Sequence, residues 1–362
     1  METIDTIIEP SEFTNFLDSG ALLRLEPNRW LLLKGPFKAA ARVQKSQVAL
    51  YHPDFFMESS QNFWIPVSFC MVNDVQLRRL CQRFKGLGAS GSSIKWEAAE
   101  LQSFKSSYEF ILQRIQNDSL KKAVPVVFER SKEVPDKTML AAYIENLVSA
   151  PESLFVYGFW QNGIGTLGAT PEVLLRKQGS VLKTMALAGT YAKAEKRQGV
   201  LIEDAKELHE HDLVVRDILH SLGGYGALTQ SGPYTLDLPR LLHLKTDIEC
   251  RLNSPETFNF FEACKHLHPT PALGVAPREY GYQWLRELPE QADRQGFGAP
   301  WGVQWSEDEA LCLVAIRNLQ WSPTGSRIGS GCGVVAQSQL EREWSELFEK
   351  RQSVKKVIGL QS

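Results

Sequence analysis

Short apolar runs of strand length fill the first hundred residues. ALLRLEP begins at Ala21, RWLLLKG at Arg29, QVALYH at Gln47 and FWIPVSFCMV at Phe63, with Gly, Pro and Asp between them. The period then lengthens. Leu101, Phe104, Tyr108, Ile111, Leu112 and Ile115 recur at helical spacing and predict a helix over about residues 96–118. AVPVVFE, LFVYGFW, GIGTLGA and EVLLRKQ predict further strands separated by Gly-rich turns. A charged helix is expected over roughly residues 195–222, followed by the strand-like HLKTDIECRL. Helices at about 255–266 and 277–290 precede a β-rich section from Trp301 to Val335, and an amphipathic helix from about Leu340 to Val357 closes the pattern.

Runs of strands interrupted by helix pairs predict an α+β fold rather than the strict alternation of a doubly wound sheet. No short-period repeat, low-complexity segment or Pro/Gly/Ser-rich linker divides the chain. One domain over residues 1–362 is therefore expected, with residues 1–95 as an N-terminal lobe.

Composition narrows the classes without choosing among them. The apolar fraction of 43% and charged fraction of 23% are those of an ordinary globule. A net charge of −2 provides no basic field, so nucleic acid is not an expected partner. The six cysteines form no C-x-x-C pair and mostly sit in apolar runs, which predicts buried free thiols in a reducing compartment. The acidic start METIDTIIEPSEF does not read as a secretory leader, and no apolar run is long enough to span a bilayer. A cytoplasmic protein with no membrane partner, monomeric or homodimeric, is expected.

Chemistry is suggested first by two E-x-x-E sequences, Glu207-Leu-His-Glu210 and Glu343-Trp-Ser-Glu346, each on a predicted helix. Residues i and i+3 share a helix face, so each helix presents two carboxylates side by side. Two such pairs brought together repel unless a cation sits between them, and hard oxygen ligands suit Mg²⁺. Either motif alone reads first as a solvated helix face, because E-x-x-E is common. His209 and His211 point to different faces of their helix and do not suggest a shared zinc; His266 and His268 read as a solvated or capping helix end. Gly-rich stretches at Leu187-Ala-Gly-Thr190 and Gly329-Ser-Gly-Cys-Gly333 match no nucleotide-binding motif, and read as tight turns or as close backbone approach to an anion. Arg317, inside the apolar run CLVAIRNLQW, needs a partner: a ligand carboxylate or a structural acid.

Taken in order, these segments resemble the chorismate-utilising enzymes, namely isochorismate, salicylate, anthranilate and aminodeoxychorismate synthases. The resemblance rests on Lys122-Ala-Val, Ala169-Thr-Pro-Glu172, Leu187-Ala-Gly-Thr190, Glu207-Leu-His-Glu210-His and His268-Pro-Thr-Pro-Ala-Leu273. It continues through Ala315-Ile-Arg317 and Gly331-Cys-Gly-Val-Val to Ser338, Glu343-Trp-Ser-Glu346 and Lys350. It covers about residues 105–358 and implies a large α+β domain with two antiparallel sheets packed together and helices outside.

What the resemblance implies for the site is specific. Glu210 and Glu346 would hold Mg²⁺, with Glu207 and Glu343 as outer or water-mediated partners. Arg317 and Lys350, with backbone around Gly189, Thr190 and Gly331, would hold the carboxylates of chorismate. His243, Ala272, Leu273 and Phe297 would lie against the substrate. Lys122 would take a proton from attacking water and Glu172 would protonate the departing hydroxyl; Lys121 stands beside Lys122, so the resemblance alone leaves either lysine able to face the site. Ala188, where aminodeoxychorismate synthases have lysine, and Ala272, where salicylate and anthranilate synthases tend to have threonine, resemble the isochorismate synthases. A salicylate synthase and a non-catalytic chorismate-binding homologue are the rival readings.

Overall fold

The computed structural model describes residues 10–44, 47–85, 94–117, 119–193, 201–238 and 240–360. Two large antiparallel sheets lie face to face. The first has eight strands, ordered Ser68–Val72, Arg29–Lys34, Gly20–Glu26, Phe155–Gln161, Ile164–Thr170, Asn318–Ser322, Gly325–Gly331 and Val126–Ser131. The second has ten and is built around Leu241–Leu252, Val181–Ala192, Val173–Gln178, Glu309–Val314 and Pro300–Gln304. N-terminal strands join both: Gly20–Glu26 pairs with Phe155–Gln161, and Ala49–Tyr51 pairs with Pro300–Gln304. The α+β expectation and the two-sheet core hold.

The helices are α1 (Pro10–Asp18), α2 (Asp74–Lys85), α3 (Leu101–Asn117), α4 (Lys137–Val148), α5 (Ala205–Leu222), α6 (Phe260–Leu267) and α7 (Leu340–Ile358). They cover the outer faces. Ala21, Leu23, Leu31 and Leu33 pack with Trp301, Val303, Leu311 and Leu313 between the sheets. Their neighbours Leu22 and Leu32 point the other way, into a core with Phe13, Leu77, Ile144 and Val354 from α1, α2, α4 and α7. A third core on the far side of the second sheet takes in Phe104, Val214, Ile218 and Cys264 from α3, α5 and α6. Side chains alternate faces along a strand. Both faces are covered here, and that is why ALLRL and RWLLL read as continuous apolar runs rather than alternating ones.

One expected element needs correction. The helix over 277–290 is instead a series of short 3₁₀ turns at Arg278–Tyr280, Gln283–Glu287 and Ala292–Arg294. Gly281, at a φ of 70°, breaks the run, and Pro289 closes it. Helices α1, α2 and α4 were not anticipated. The last starts at Asp136, whose carboxylate accepts from Met139 N at 2.8 Å, and buries Leu140, Ile144, Leu147 and Val148. Residues 195–200 of the expected charged helix fall outside the described residues, and the described part begins at Ala205. All six cysteines are free and buried. Among the described residues no helix is long and apolar enough to cross a membrane.

One buried charge cluster fixes α7 against the first sheet. Arg351 Nε lies 2.8 Å from Glu129 Oε1, Lys355 Nζ lies 2.6 Å from Glu129 Oε2, and Arg351 Nη1 donates to Ser330 Oγ at 2.6 Å. Burial pushes the Glu129 carboxyl up, but its bonds to Lys355 and Arg351 outweigh that and hold it below the usual range. Removing the shared acceptor strands two buried cations, a change that typically costs about 3–5 kcal/mol. Glu129→Ala should lower stability by that order in urea unfolding. A loss below about 1 kcal/mol would show that solvent reaches the cluster.

Candidate active site

Among the described residues the chain passes between the two sheets four times, and two of those crossings are neighbours in the middle of the fold. Strand Ile164–Thr170 of the first sheet runs through Pro171-Glu172 into Val173–Gln178 of the second, while Glu309–Val314 returns through Ala315–Arg317 to Asn318–Ser322. Ala169 N donates to Arg317 O and Val314 N to Glu172 O, both at 3.1 Å. Arg317 is thus not inside a continuous strand, as expected, but at the break between two, with a φ of 55° in the left-handed region. Such a conformation is costly for a residue with a side chain and persists only where its surroundings enforce it.

The crossings open a cleft with about 600 Å³ of space between its walls, counting the mouth open to solvent. All nine residues expected to touch substrate line it: Gly189, Thr190, His243, Ala272, Leu273, Phe297, Arg317, Gly331 and Lys350. Gly189 sits at a bulge in Val181–Ala192, with a φ of 79° and a register shift between Ala188 and Thr190. The bulge turns Thr190 so that its N–H donates to Glu207 Oε2 at 2.9 Å and its hydroxyl meets His243 Nδ1 at 3.0 Å. Arg317 Nη2 lies 3.3 Å from His243 Nε2. A guanidinium can only donate, so Nε2 accepts and the ring proton sits on Nδ1. Burial, then Arg317 and Lys350, push the imidazole well below its usual range, so the ring is neutral.

Among the described residues no carboxylate lies within ion-pair distance of Arg317; its other contact is the Lys350 carbonyl at 3.5 Å. Burial lowers the guanidinium pKa to about 10, against the pull of Glu346 and Glu172. Lys350 Nζ donates to Gly331 O at 2.7 Å and lies 2.5 Å from Glu346 Oε1. Two cations therefore face one cleft wall, and Arg317 has no acid of its own.

Glu172, at the first crossing, is buried, and burial raises its carboxyl to about 7 although Lys122, Lys350 and Arg317 pull it down. Lys122, on the short strand Lys122–Ala123, is wholly buried with Nζ 2.8 Å from Glu210 Oε1. Lys121 points to solvent. Glu172 and Glu210 line the cleft; Lys122 stands just behind Glu210.

The two E-x-x-E motifs come together across α5 and α7, and neither is a solvated face. Glu207, Glu210 and Glu343 are buried, and the Glu346 side chain is 15% exposed. Burial, then neighbouring carboxylates, raise Glu207 to about 7; burial likewise raises Glu343 to about 7, with Lys206 opposing. Burial also pushes Glu210 up, but Lys122 and Lys206 prevail and hold it low. Among the described residues no three acidic, His or Cys side chains are gathered as a ready-made metal cage. Lys206 Nζ stands among them instead, 3.0 Å from Glu207 Oε1, 3.1 Å from Glu343 Oε1 and 3.7 Å from Glu210 Oε2. Four oxygen donors of like charge are nonetheless the set a hard divalent cation takes.

The histidines set aside as zinc ligands have other partners or none in the cleft. His211 is buried between Ala188 O at 3.1 Å and Thr246 Oγ1 at 2.8 Å, His209 is exposed, and His268 is buried with Nε2 2.8 Å from Phe55 O.

The model of the chorismate binding enzyme family matches residues 73–359. The chain belongs to that family. Isochorismate synthase MenF of Bacillus subtilis is 30% identical over 224 residues, which are 60% of this chain and 47% of that protein. Isochorismate synthase EntC of Escherichia coli K12 is 34% identical over 202 residues, 54% of this chain and 51% of the other. The chain thus spans about half the length of the curated relatives it matches. The solved structure of MenF, the menaquinone-specific isochorismate synthase of E. coli, superposes with a TM-score of 0.78 at 19% identity, over 98% of this chain and 92% of that one. At that identity the likeness is one of fold.

Two site residues escaped sequence reasoning. Lys206 is one. The other is Gly333, where an added Cβ would overlap both Glu210 Oε1 and Lys122 Cε. In this family member the glycine-rich stretch clears room for the buried ion pair rather than forming only a turn. Gly333→Ala should force the Lys122–Glu210 pair apart at about 1–3 kcal/mol, the usual cost of overpacking. A denaturation midpoint equal to the parent's would show that the pair yields without cost.

Proposed function

We propose that this chain is an isochorismate synthase, adding water at C2 of chorismate as the C4 hydroxyl departs, with Mg²⁺ as cofactor. The observation that carries the reading is a carboxyl raised to about 7 beside two cations in one cleft, with a buried lysine just behind the cleft wall. The relatives named isochorismate synthase support the same choice.

Arg317 and Lys350 hold the substrate carboxylates; both are partly stripped of water, so a planar anion gains strongly from them. Lys122, acting in its neutral form rather than as the ammonium paired with Glu210, takes a proton from the water that bonds to C2. Glu172 gives a proton to the C4 hydroxyl, which leaves as water while the ring double bonds shift between the two carbons. One water enters and one leaves. A glutamate with an ordinary pKa is ionised at neutrality and has no proton to give, whereas one near 7 is suited to the task. Glu210 and Glu346, backed by Glu207 and Glu343, would hold the Mg²⁺, which would supply positive charge to a substrate carboxylate. Neutral His243 completes the wall through Thr190 and Arg317. Ala272 offers the bound product no hydrogen bond that favours loss of pyruvate, so isochorismate leaves intact.

Incubation with chorismate and Mg²⁺ should give isochorismate with little pyruvate by chromatography; salicylate and pyruvate in near-equal amounts would make the chain a salicylate synthase. Lys122→Ala should reduce kcat by about 10²–10⁴-fold, the usual weight of a positioned base, while Lys121→Ala changes it little. The reverse result would reassign the base. Because Glu172 acts in its protonated form, kcat/KM should decline as pH rises through about 7. A profile flat from pH 6 to 8.5 would remove Glu172 as the acid.

A further inference from the structure

The reading above places a divalent cation among four glutamates, and a lysine already stands there. Lys206 is the second residue of α5, next to Glu207 and one turn before Glu210. Its ammonium reaches across to Glu343 on α7, making it the group that joins the two acidic motifs. The side chain is 15% exposed, so the ammonium is largely removed from water and held by carboxylates. The other cations in the cluster are engaged elsewhere: Lys122 with Glu210, Lys350 with Glu346 and the Gly331 carbonyl. Without Lys206, Glu207 would keep the Thr190 N–H, but neither it nor Glu343 would have a cation within ion-pair distance among the described residues.

From this arrangement we infer that Lys206 is a resident counter-cation. It holds the two acidic motifs together in the metal-free protein and yields its place among Glu207, Glu210 and Glu343 when a divalent cation binds. The inference rests on the metal reading proposed above and adds a competitor built into the chain. A tethered ammonium cannot be diluted, so it lowers apparent metal affinity by a fixed factor. If the cluster is free of the lysine one-tenth of the time, the apparent Kd is tenfold weaker than the intrinsic one. The same contact spares the protein four mutually repelling buried carboxylates before metal arrives.

The test uses Mg²⁺ alone, without substrate, at pH 8. Lys206→Met keeps the length of the side chain and removes its charge. Calorimetric titration should show Mg²⁺ bound at least tenfold more tightly than by the parent. Thermal melting should show the variant less stable than the parent in EDTA, with the deficit reduced or abolished in excess Mg²⁺. A lysine with a merely structural role would lower the melting temperature equally in both conditions and would not tighten Mg²⁺ binding; either result overturns the inference. If Lys206→Met does not fold in EDTA, Lys206→Gln, which keeps hydrogen bonding to the carboxylates without charge, carries the same titration and the same criteria. The Glu210→Gln, Glu346→Gln double variant separates the two levels of the argument. If it binds Mg²⁺ as the parent does, the metal reading itself fails, and the inference with it. If it loses Mg²⁺ while the lysine variant binds no more tightly than the parent, the lysine inference alone fails.

Discussion

The whole site depends on the chain crossing between the sheets twice at one place. The chain also passes between the sheets at Gly35–Phe37 and at Pro66-Val67, but only at Pro171-Glu172 and Ala315–Arg317 do the crossings line the cleft, and there backbone hydrogen bonds tie one to the other. A residue at a crossing belongs to neither pleated surface, so its side chain is free to point along the seam. Glu172 and Arg317 use that freedom. The left-handed backbone of Arg317 is part of the same constraint, because the strands on either side leave the connection no longer route.

Around this seam the protein gathers several buried charges. Four of the carboxylates are matched by a named cation or donor, Glu210 by Lys122, Glu346 by Lys350, Glu207 by Lys206 and the Thr190 amide, and Glu343 by Lys206, whereas Glu172 has no cation within ion-pair distance among the described residues. Arg317 likewise has no acid within ion-pair distance among the described residues, Glu346 and Glu172 acting on it only from farther off. An unanswered buried cation raises the free energy of the free protein and is relieved by an anionic ligand. Binding and folding therefore pull in opposite directions at this residue.

The motif-bearing part of the site was legible in the sequence because its residues sit at fixed offsets within single elements. Glu207 and Glu210 share one helix face whatever the helix packs against, and so do Glu343 and Glu346. What was not legible lay between elements. Nothing local says that CLVAIRNLQW must break at Arg317, since the break is set by which sheet each half joins. The helical pattern over 277–290 looked sound, but Gly281 overrode it through its backbone angle. Gly333 could be read only as part of a turn or of a backbone approach to an anion, because its meaning is the space it leaves for two side chains distant in sequence. Lys206 lay in plain view within the E-x-x-E segment, and a lysine beside glutamates looks like any surface pair until the second motif is placed opposite.

Helix α7 carries two sets of side chains with different duties, Glu343, Glu346 and Lys350 toward the cleft, and Arg351 and Lys355 toward Glu129. They are locked in phase. Each residue of an α-helix advances about 100° around the axis, so an insertion or deletion between Glu346 and Arg351 would rotate one set while the buried anchor held the other. Length within that segment is therefore as tightly specified as residue type. The demand runs on past Lys355, because Ile358 and Leu360 are buried in the core beside α4 and Asn146 Nδ2 donates to Ile358 O at 3.0 Å, so the helix is pinned in phase to its last turn.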